Sequence, residues 1–324
     1  MAGTGIGLIS GGLDSMLAAR VLMEQGIEVV GISFTTPFFG SGKAEAAARE
    51  LGFRLLVQDI TAPHLEMVRD PLSGYGANMN PCIDCHAMMI LEAGRIMDRE
   101  GWDFIFTGEV LNERPMSQNR HALNRVANLS GYRDRLLRPL SALLLPETPP
   151  EKEGTVDRLR LLDIQGRSRK RQFALAGQYG IRDFPSPGGG CLLTDPGFSR
   201  RLRELFEQGP DDDPRFVEML KTGRHFRLHR EVKAVVGRNH GENNSLLELT
   251  KEGEAILRTV DIPGPVVLLT GSFSEEDLLT AAGLCARYSD AREGPVSVSR
   301  EMGGKVDIVN AVPLDEGLIE SLRV

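Results

Sequence analysis

The chain has 324 residues, of which 41% are hydrophobic, and it contains four cysteines. This length suits two domains, and no apolar run approaches the roughly 18 residues that would suggest a membrane span. Four cysteines do not make a disulfide framework, so we expect clustered thiols to serve metal or redox chemistry. The net charge of −7 disfavours a nucleic-acid binder without excluding one, because local basic patches decide backbone contact. Residues 1–4 lack a positively charged region, so we expect no signal peptide and a cytoplasmic location.

Strands and helices alternate along residues 5–60. Apolar stretches predict strands over 5–9, 28–34 and 53–60, with helices over 16–24 and 43–51 between them. This alternation predicts an α/β fold with a doubly wound parallel sheet, in which ligands lie beyond the carboxyl ends of the strands. We place this domain at residues 1–208. An acidic linker follows, and the changed pattern beyond it predicts a smaller α+β domain over residues 209–324.

A glycine-rich turn joins the first strand to the first helix. Its residues are Ser10, Gly11, Gly12, Leu13, Asp14 and Ser15. Glycines tolerate positive φ and let backbone N–H groups converge on an anion, and the helix N-terminus adds partial positive charge. The serine hydroxyls can donate to phosphate oxygens, whereas a carboxylate would bind Mg²⁺ carried by the phosphates. Its place between strand and helix favours a phosphate-binding turn over an ordinary glycine-rich connection.

This turn resembles the PP-loop of the ATP pyrophosphatase family, whose fold is adenine nucleotide alpha hydrolase-like. The resemblance implies that ATP, with Mg²⁺ at Asp14, is cleaved between its α- and β-phosphates, and that a carbonyl or carboxylate is adenylated. The GxxxxGK[ST] pattern is absent, which argues against γ-phosphate chemistry. In the family the end of the second strand lies against adenine, which implies that role for Ser33 and Phe34; plain strand ends are the alternative.

A CxxC pair follows a stretch that we predict to be a long loop, residues 61–81. Cys82 and Cys85 precede a helix predicted over 87–100, so two sulfurs come within reach of one centre. A helix N-terminus also lowers thiol pKa values. Cys191 follows the glycine run 188–190, which leaves its backbone approachable, whereas Cys285 lies in an apolar helical stretch typical of a structural cysteine.

The fourth predicted strand, residues 103–109, ends in Gly108 and Glu109 and is followed by Arg114 and a Ser-Gln pair. This segment resembles the corresponding one in tRNA 4-thiouridine synthetases. The resemblance implies that Gly108 and Glu109 face the nucleotide, and that Arg114 lies at the adenylate phosphate and the RNA. A solvated loop arginine is the competing interpretation of Arg114.

Two regions are candidates for RNA contact. The first is a basic run that leads into a helix, formed by Arg167, Arg169, Lys170 and Arg171. Such a run is most often a solvated face, but it is the best candidate for contact with a phosphate backbone. The second is the C-terminal half, which resembles the NFACT-R type RNA-binding domain in its VVGRN and PGPVVLL segments. Further cations at its edge are Arg224, His225, Arg227, His229, Arg230 and Lys233.

Three cysteines, Cys82, Cys85 and Cys191, are available for one site. Structural zinc needs four protein ligands, and His86 directly follows Cys85 and would strain to reach the same metal. Three thiolates suit a 4Fe-4S cluster that leaves one iron without a protein ligand. The spacing resembles that of cluster-dependent tRNA thiolation enzymes. The alternative is a persulfide and a resolving cysteine, as in the 2-thiouridylases that the chain also resembles, but this leaves the third cysteine idle.

These resemblances imply an ATP-dependent tRNA sulfurtransferase that adenylates a uridine carbonyl and replaces its oxygen with sulfur. The expected cofactors are ATP, Mg²⁺ and a 4Fe-4S cluster. The expected partners are tRNA, a sulfur donor (sulfide or a cysteine desulfurase persulfide) and a second copy in a homodimer. An amidating PP-loop ligase is one alternative, although no glutaminase signature is visible. An RNA-binding or sulfur-carrier protein with a relic nucleotide site is another, and the intact SGGLDS turn counts against it.

Overall fold

The computed structural model describes residues 3–185, 191–208, 213–291 and 294–324. These residues form two compact units, Met1–Thr194 and Asp195–Val324. The division falls earlier in the chain than the domain boundary predicted at 208/209. That boundary adjoins residues 209–212, which, like the glycine run 188–190, lie outside the described residues. Among the described helices, none is long and apolar enough to cross a membrane.

The first unit is built on a parallel sheet. Its described strands are β1 (Thr4–Leu8), β2 (Glu28–Thr35), β3 (Arg54–Asp59), β4 (Phe104–Thr107) and β5 (Leu136–Leu137). Its described helices are α1 (Leu13–Met23), α2 (Gly42–Leu51), α3 (Thr61–Arg69), α4 (Cys82–Glu100), α5 (Arg120–Ser130), α6 (Pro149–Lys152) and α7 (Lys170–Tyr179). The strands are ordered β3-β2-β1-β4-β5, and every described pairing between them is parallel. The predicted doubly wound α/β fold is confirmed.

Both faces of this sheet are covered by helices. In β4, Phe104 and Phe106 point into one apolar core with α1, α2 and α7, while Ile105 points into another with α4 and α5. This alternation is the two-residue period of a strand buried on both sides. The strand order reverses between β1 and β4. The carboxyl ends of these two neighbours therefore form the topological switch point, where ligands bind in such sheets.

The segment between β3 and α4 differs from the prediction. Residues 61–81 were expected to be one loop, but Thr61–Arg69 form α3. Pro63 is compatible with a helix in its first turn, where a missing N–H removes no intrahelical bond. Helix α4 begins at Cys82 and not near residue 87, so the CxxC pair lies within its first turn.

The second unit is an antiparallel sheet with helices. Its described strands are β6 (Arg224–His229), β7 (Val232–Val236), β8 (Ala255–Thr259), β9 (Val266–Thr270), β10 (Val296–Met302) and β11 (Lys305–Ala311). Its described helices are α8 (Pro196–Gln208), α9 (Pro214–Met219), α10 (His240–Leu249), α11 (Glu275–Arg287) and α12 (Glu316–Leu322). The strand order is β11-β10-β8-β9-β7-β6, and α11 packs in the main core. The predicted smaller α+β fold is confirmed, although β6, β8 and β11 were not anticipated.

A pair of alanine substitutions tests the turn before α1. Gly11 has φ of +73°, and a Cβ there would lie 2.3 Å from the Lys43 carbonyl oxygen. Gly26 has φ of +81° but open space around it. We expect Gly11→Ala to lower the free energy of unfolding by about 3 kcal/mol and Gly26→Ala by about 1 kcal/mol, since only the first adds a backbone clash to the strain. Urea unfolding followed by fluorescence of Trp102, the single tryptophan, measures both. Equal losses would contradict the close approach.

Candidate functional site

The turn of residues 10–15 lies at the switch point and is held by its own hydroxyl groups. The Gly12 N–H donates to Ser10 Oγ at 3.3 Å, and the Ser15 hydroxyl donates to the Gly12 carbonyl at 2.8 Å. Ser10 is exposed and Ser15 is buried at the start of α1. A Cβ on Gly108, just after β4, would lie 2.5 Å from the Ser15 backbone nitrogen. The sequence-predicted Gly108 therefore lets the end of β4 pack directly against this turn.

Asp14 projects from the turn into an ion pair. Arg169 Nη2 donates to Asp14 Oδ2 at 2.9 Å, whereas Asp14 Oδ1 is buried without a hydrogen-bond partner among the described residues. Burial raises the pKa of Asp14, and the charge of Arg169 opposes that rise. Arg169 was predicted to contact RNA. The structure instead places it against the turn, with only 13% of its side chain exposed.

Three further residues lie near Asp14 and Arg169. Sequence reasoning either did not single them out or gave them another role. Glu113 Oε1 lies 3.4 Å from Arg169 Nε, and both burial and the nearby Asp14 charge raise the pKa of Glu113. Gln172, on α7, is fully buried beside Asp14. The exposed Arg114 is close enough for its charge to lower the pKa of Asp14. Two carboxylates and two guanidinium groups thus border the turn.

The structure places the segment of Cys191 against the one that leads into Cys82 and Cys85. Burial, and then the neighbouring Cys191 and Cys82, raise the pKa of Cys85. Two hydrogen bonds tie the segments together: the Met79 N–H donates to the Leu193 carbonyl at 3.2 Å, and the Asn78 amide donates to the Thr194 carbonyl at 2.7 Å.

The thiol pKa values differ from the sequence-based expectation. Burial raises the pKa of all three thiols, which outweighs the lowering expected from the helix N-terminus. The Arg114 charge opposes this rise at Cys82, whose S–H donates to Asn80 Oδ1 at 2.9 Å. Free thiols in these surroundings are therefore protonated at neutral pH, and a bound metal would be needed to hold them as thiolates.

His64 is a further residue at the thiols that sequence reasoning missed. Its Nε2 lies 3.3 Å from Cys85 Sγ, and its ring packs against Phe38 and Phe39 with centroids 5.4 Å apart in each case. It is fully buried, and burial lowers its pKa to about 4, so the imidazole is neutral. No signal in the sequence could have found it, because it lies on α3, which was predicted to be loop.

Glu109, which follows β4, lies in a network of hydrogen bonds with neighbouring side chains. It is buried, and its carboxylate accepts hydrogen bonds from Arg138 Nε at 2.8 Å and Thr107 Oγ1 at 3.0 Å. His86 Nδ1 lies 3.0 Å from the other carboxylate oxygen. The Arg138 charge and His86 hold the pKa of Glu109 well below its usual range despite burial. Both carboxylate oxygens are engaged within the protein, and the contact of Glu109 with a nucleotide stays a prediction.

The remaining residues predicted for the site are either buried in β2 or exposed near the start of α7. Ser33 is buried inside β2, and Phe34 is buried in the core beside α4, so their predicted contact with adenine stays a prediction. Arg171 is exposed and pairs with Asp163 at 2.7 Å. Arg167 and Lys170 are also exposed.

In the second unit, most of the predicted edge cations are engaged within the unit. Arg227 and Lys233 both pair with Glu204, and burial lowers the pKa of Lys233 to about 8. Arg224 lies over the Tyr288 ring at 4.7 Å. His225 is buried, and His229 lies 3.3 Å from Asp277.

The donor atoms at Asp14 and those at the three cysteines suit different metal groups. The buried, unpartnered Oδ1 of Asp14 is an oxygen acceptor of the kind that Mg²⁺ prefers. Three thiols from two segments, without a fourth cysteine beside them in the described residues, match the donor set of a cluster with one open iron. Within the described ranges, no three His, Cys, Asp or Glu side chains are arranged to hold a single metal ion.

A parallel sheet with a serine- and glycine-rich turn at its switch point defines the first unit as a PP-loop type α/β fold. Residues 1–143 match the family model described as Thiamine biosynthesis protein (ThiI), and residues 223–322 match the model described as NFACT protein RNA binding domain. These matches confirm both resemblances predicted from the sequence. The chain therefore carries a ThiI-like region followed by an NFACT RNA-binding-like region.

Individual proteins are also similar. The "tRNA-specific 2-thiouridylase MnmA 1" of Syntrophus aciditrophicus is 28% identical over 230 residues, which cover 61% of this chain and 59% of that protein. The "Probable tRNA sulfurtransferase" of Methanosarcina mazei is 32% identical over 127 residues, 36% of this chain and 30% of that protein. A solved 4-thiouridine synthetase–RNA complex with bound ATP has 18% identity and a TM-score of 0.35, covering 67% of this chain and 53% of its own. The chain thus spans less than two thirds of each of these proteins.

Replacing Glu109 tests the buried ion pair. Glu109→Gln leaves Arg138 charged, buried and unpaired, so we expect the free energy of unfolding to fall by about 3–5 kcal/mol. Glu92→Gln removes the same charge from the exposed pair with Arg95 and should change stability by less than about 1 kcal/mol. Urea unfolding monitored at Trp102 compares the two variants. A Glu109→Gln loss as small as that of Glu92→Gln would mean that the pair contributes little to the fold.

Proposed function

We propose that the chain is an ATP-dependent tRNA sulfurtransferase, which adenylates a uridine carbonyl and replaces its oxygen with sulfur. One observation carries the proposal: Gly108 packs against the turn, and the next residue, Glu109, contacts His86 at 3.0 Å in the same first turn of α4 that holds Cys82 and Cys85. The segment after β4 is therefore in contact with the turn of residues 10–15 and with the helix end that carries two thiols. A site that activates a base and one that delivers sulfur must share the substrate, and this closeness supports both steps in one cleft.

In the first step, ATP phosphates bind the turn of residues 10–15, and Asp14 would hold Mg²⁺ through its unpartnered oxygen. The uridine oxygen attacks the α-phosphorus, a new P–O bond forms, and the bond to the β-phosphate breaks to release pyrophosphate. Ser10 and the backbone N–H groups at the start of α1 stabilise the developing charge on the phosphates. Arg114 is placed to offset charge on the adenylate as it forms.

In the second step, a sulfur nucleophile attacks the activated uridine carbon. A C–S bond forms, the C–O bond breaks, and AMP leaves with the oxygen. Cys82, Cys85 and Cys191 would hold the 4Fe-4S cluster, which when bound supplies an iron with an open position for sulfide. Asn80 and His64 orient Cys82 and Cys85 through the contacts at their sulfurs.

The three thiols support the cluster over a persulfide pair, because hydrogen bonds join the segment before Cys82 to the segment after Cys191 and a cluster leaves no cysteine idle. Their burial also supports it, since a free cysteine that attacks a persulfide donor needs thiolate character at neutral pH. The persulfide route remains the alternative. The sulfur donor, the homodimer and the cytoplasmic location stay predictions.

The second unit would hold the RNA, as the name of its matching family model indicates. Arg167 and Lys170 in the first unit are exposed cations that would add backbone contacts. Relatives named as 2-thiouridylase and tRNA sulfurtransferase support tRNA as the substrate.

Replacing Asp14 tests the adenylation step. We expect Asp14→Ala to reduce tRNA-dependent pyrophosphate release from ATP at least about a hundredfold, since losing a metal ligand removes several kcal/mol of charge stabilisation. Iron and sulfide content should stay at the wild-type value. The control is Asp98→Asn, which also removes a carboxylate. Asp98 lies near the C-terminal end of α4, away from the thiols at its start, and this variant should be fully active. Persistent pyrophosphate release in Asp14→Ala would refute the role of this carboxylate.

Single serine substitutions test the cluster. After anaerobic purification, the wild type should hold about four iron and four sulfide per chain. Serine at position 82, 85 or 191 should reduce both, whereas Cys285→Ser in the core of the second unit should not. An iron-free wild type that thiolates tRNA fully from a persulfide donor would exclude the cluster and establish the persulfide route.

A further inference from the structure

Arg169 lies between two carboxylates at the phosphate-binding turn. Its Nη2 donates to Asp14 Oδ2 at 2.9 Å, and its Nε lies 3.4 Å from Glu113 Oε1. All three side chains are largely shielded from solvent, with exposed fractions of 13% for Arg169, 23% for Asp14 and 14% for Glu113. Arg169 therefore lies within ion-pair distance of both carboxylates, and the charge of Arg114 acts on both of them as well.

Two polar groups beside this cluster are buried and make no hydrogen bond of normal geometry to the described residues. These are Asp14 Oδ1 and the side-chain amide of Gln172, which lies near enough to Asp14 to lower the pKa of that carboxyl. Gln172 is fully buried and lies next to Asp14. Buried polar groups are nearly always hydrogen-bonded, so this side of Asp14 has donors and acceptors for a ligand. The N-terminus of α7, at Lys170, adds free backbone N–H groups next to Arg169.

We infer that Arg169 is an exchangeable counter-ion of Asp14. Without nucleotide, Arg169 pairs with the Asp14 carboxylate. When the metal–nucleotide complex binds, Arg169 leaves Asp14 and pairs with the phosphates. This inference rests on the proposed ATP site. A divalent cation on Asp14 would repel the guanidinium bonded to the same carboxylate. The incoming phosphates offer two oxygens to the planar fork of that guanidinium, which is the bidentate contact that arginine makes best. In both states Asp14 and Arg169 would each keep a partner of opposite charge.

The inference changes the role of one member of the basic run. Arg169 would be a phosphate-binding residue of the nucleotide site, while its neighbours Lys170 and Arg171 remain exposed. Glu113 gains a role as well, because it retains the guanidinium near the site while Asp14 is occupied by the metal. A fixed positioning role for Arg169 makes the opposite prediction, since such a residue would assist metal binding and not compete with it.

The test compares Arg169→Gln with Arg171→Gln, which removes the same charge two residues away from an exposed pair with Asp163. Mn²⁺ binding is measured without nucleotide by electron paramagnetic resonance, at mildly alkaline pH where carboxylates are ionised. Binding of Mg²⁺ with α,β-methylene ATP, which cannot be cleaved at that bond, is measured by calorimetry. We expect Arg169→Gln to bind Mn²⁺ about tenfold more tightly and the nucleotide about tenfold more weakly, as expected for one lost charged contact. Arg171→Gln should match the wild type in both.

Weaker Mn²⁺ binding in Arg169→Gln would overturn the exchange and show that Arg169 positions Asp14. Unchanged nucleotide binding would overturn its contact with phosphate. Arg169→Lys keeps the positive charge, so it serves as the test variant if Arg169→Gln fails to fold. For Arg169→Lys we expect Mn²⁺ affinity near the wild-type value. We expect its nucleotide affinity to fall about threefold, because the planar fork is lost. Equal nucleotide affinity in this variant would also overturn the contact. A wild type that binds no nucleotide overturns the proposed ATP site, whereas the Mn²⁺ comparison decides the exchange by itself.

Discussion

Two neighbouring parallel strands, β1 and β4, end side by side, and the chain leaves them toward opposite edges of the sheet. This reversal creates the crevice on which the candidate site depends. It presses Gly108 against the backbone of Asp14 and Ser15, so that the turn before α1 and the segment after β4 share one edge. Glu109 follows Gly108 and contacts His86 in the first turn of α4, beside Cys85. A larger residue at position 108 would push the two segments apart and would separate the turn from the end of α4 that carries the thiols.

Charge is compensated locally at each part of this edge. Glu109 is buried, and Arg138 with His86 keeps it ionised. Asp14 and Glu113 share Arg169. Both arrangements bury acids, but they differ in what they leave unsatisfied. The Glu109 group accepts from three side chains and holds the end of β4 rigid, while the Asp14 group leaves one carboxylate oxygen and the Gln172 amide without hydrogen bonds of normal geometry. Incomplete pairing is costly in a folded chain, and it is the mark of a place where a ligand completes the structure.

Burial also decides the protonation state of the three thiols. Cys82 and Cys85 lie in the first turn of α4, where a helix N-terminus would favour thiolates, yet burial has the larger effect and keeps the free thiols protonated. Proton loss would therefore accompany binding of a metal. His64 packs between two phenylalanine rings against Cys85, which fixes this side of the sulfur. The surroundings resemble those of a ligand held in place more than those of an exposed nucleophile.

The sequence by itself determined the parallel sheet and the turn of residues 10–15, and it singled out three cysteines, because these inferences depend on local periodicity and on short motifs with a chemical reason. It could not assign Arg169, Glu113, Gln172 or His64, since each acquires its role from a partner far along the chain. Arg169 in a basic run has the local pattern of an RNA contact, but it lies 155 positions after Asp14 and pairs with it. Glu109 next to Gly108 has the local pattern of a nucleotide contact, but Arg138 and His86 engage it. Only tertiary structure decides which charges meet, because ion pairing depends on distance in space and burial, and neither is encoded in local spacing.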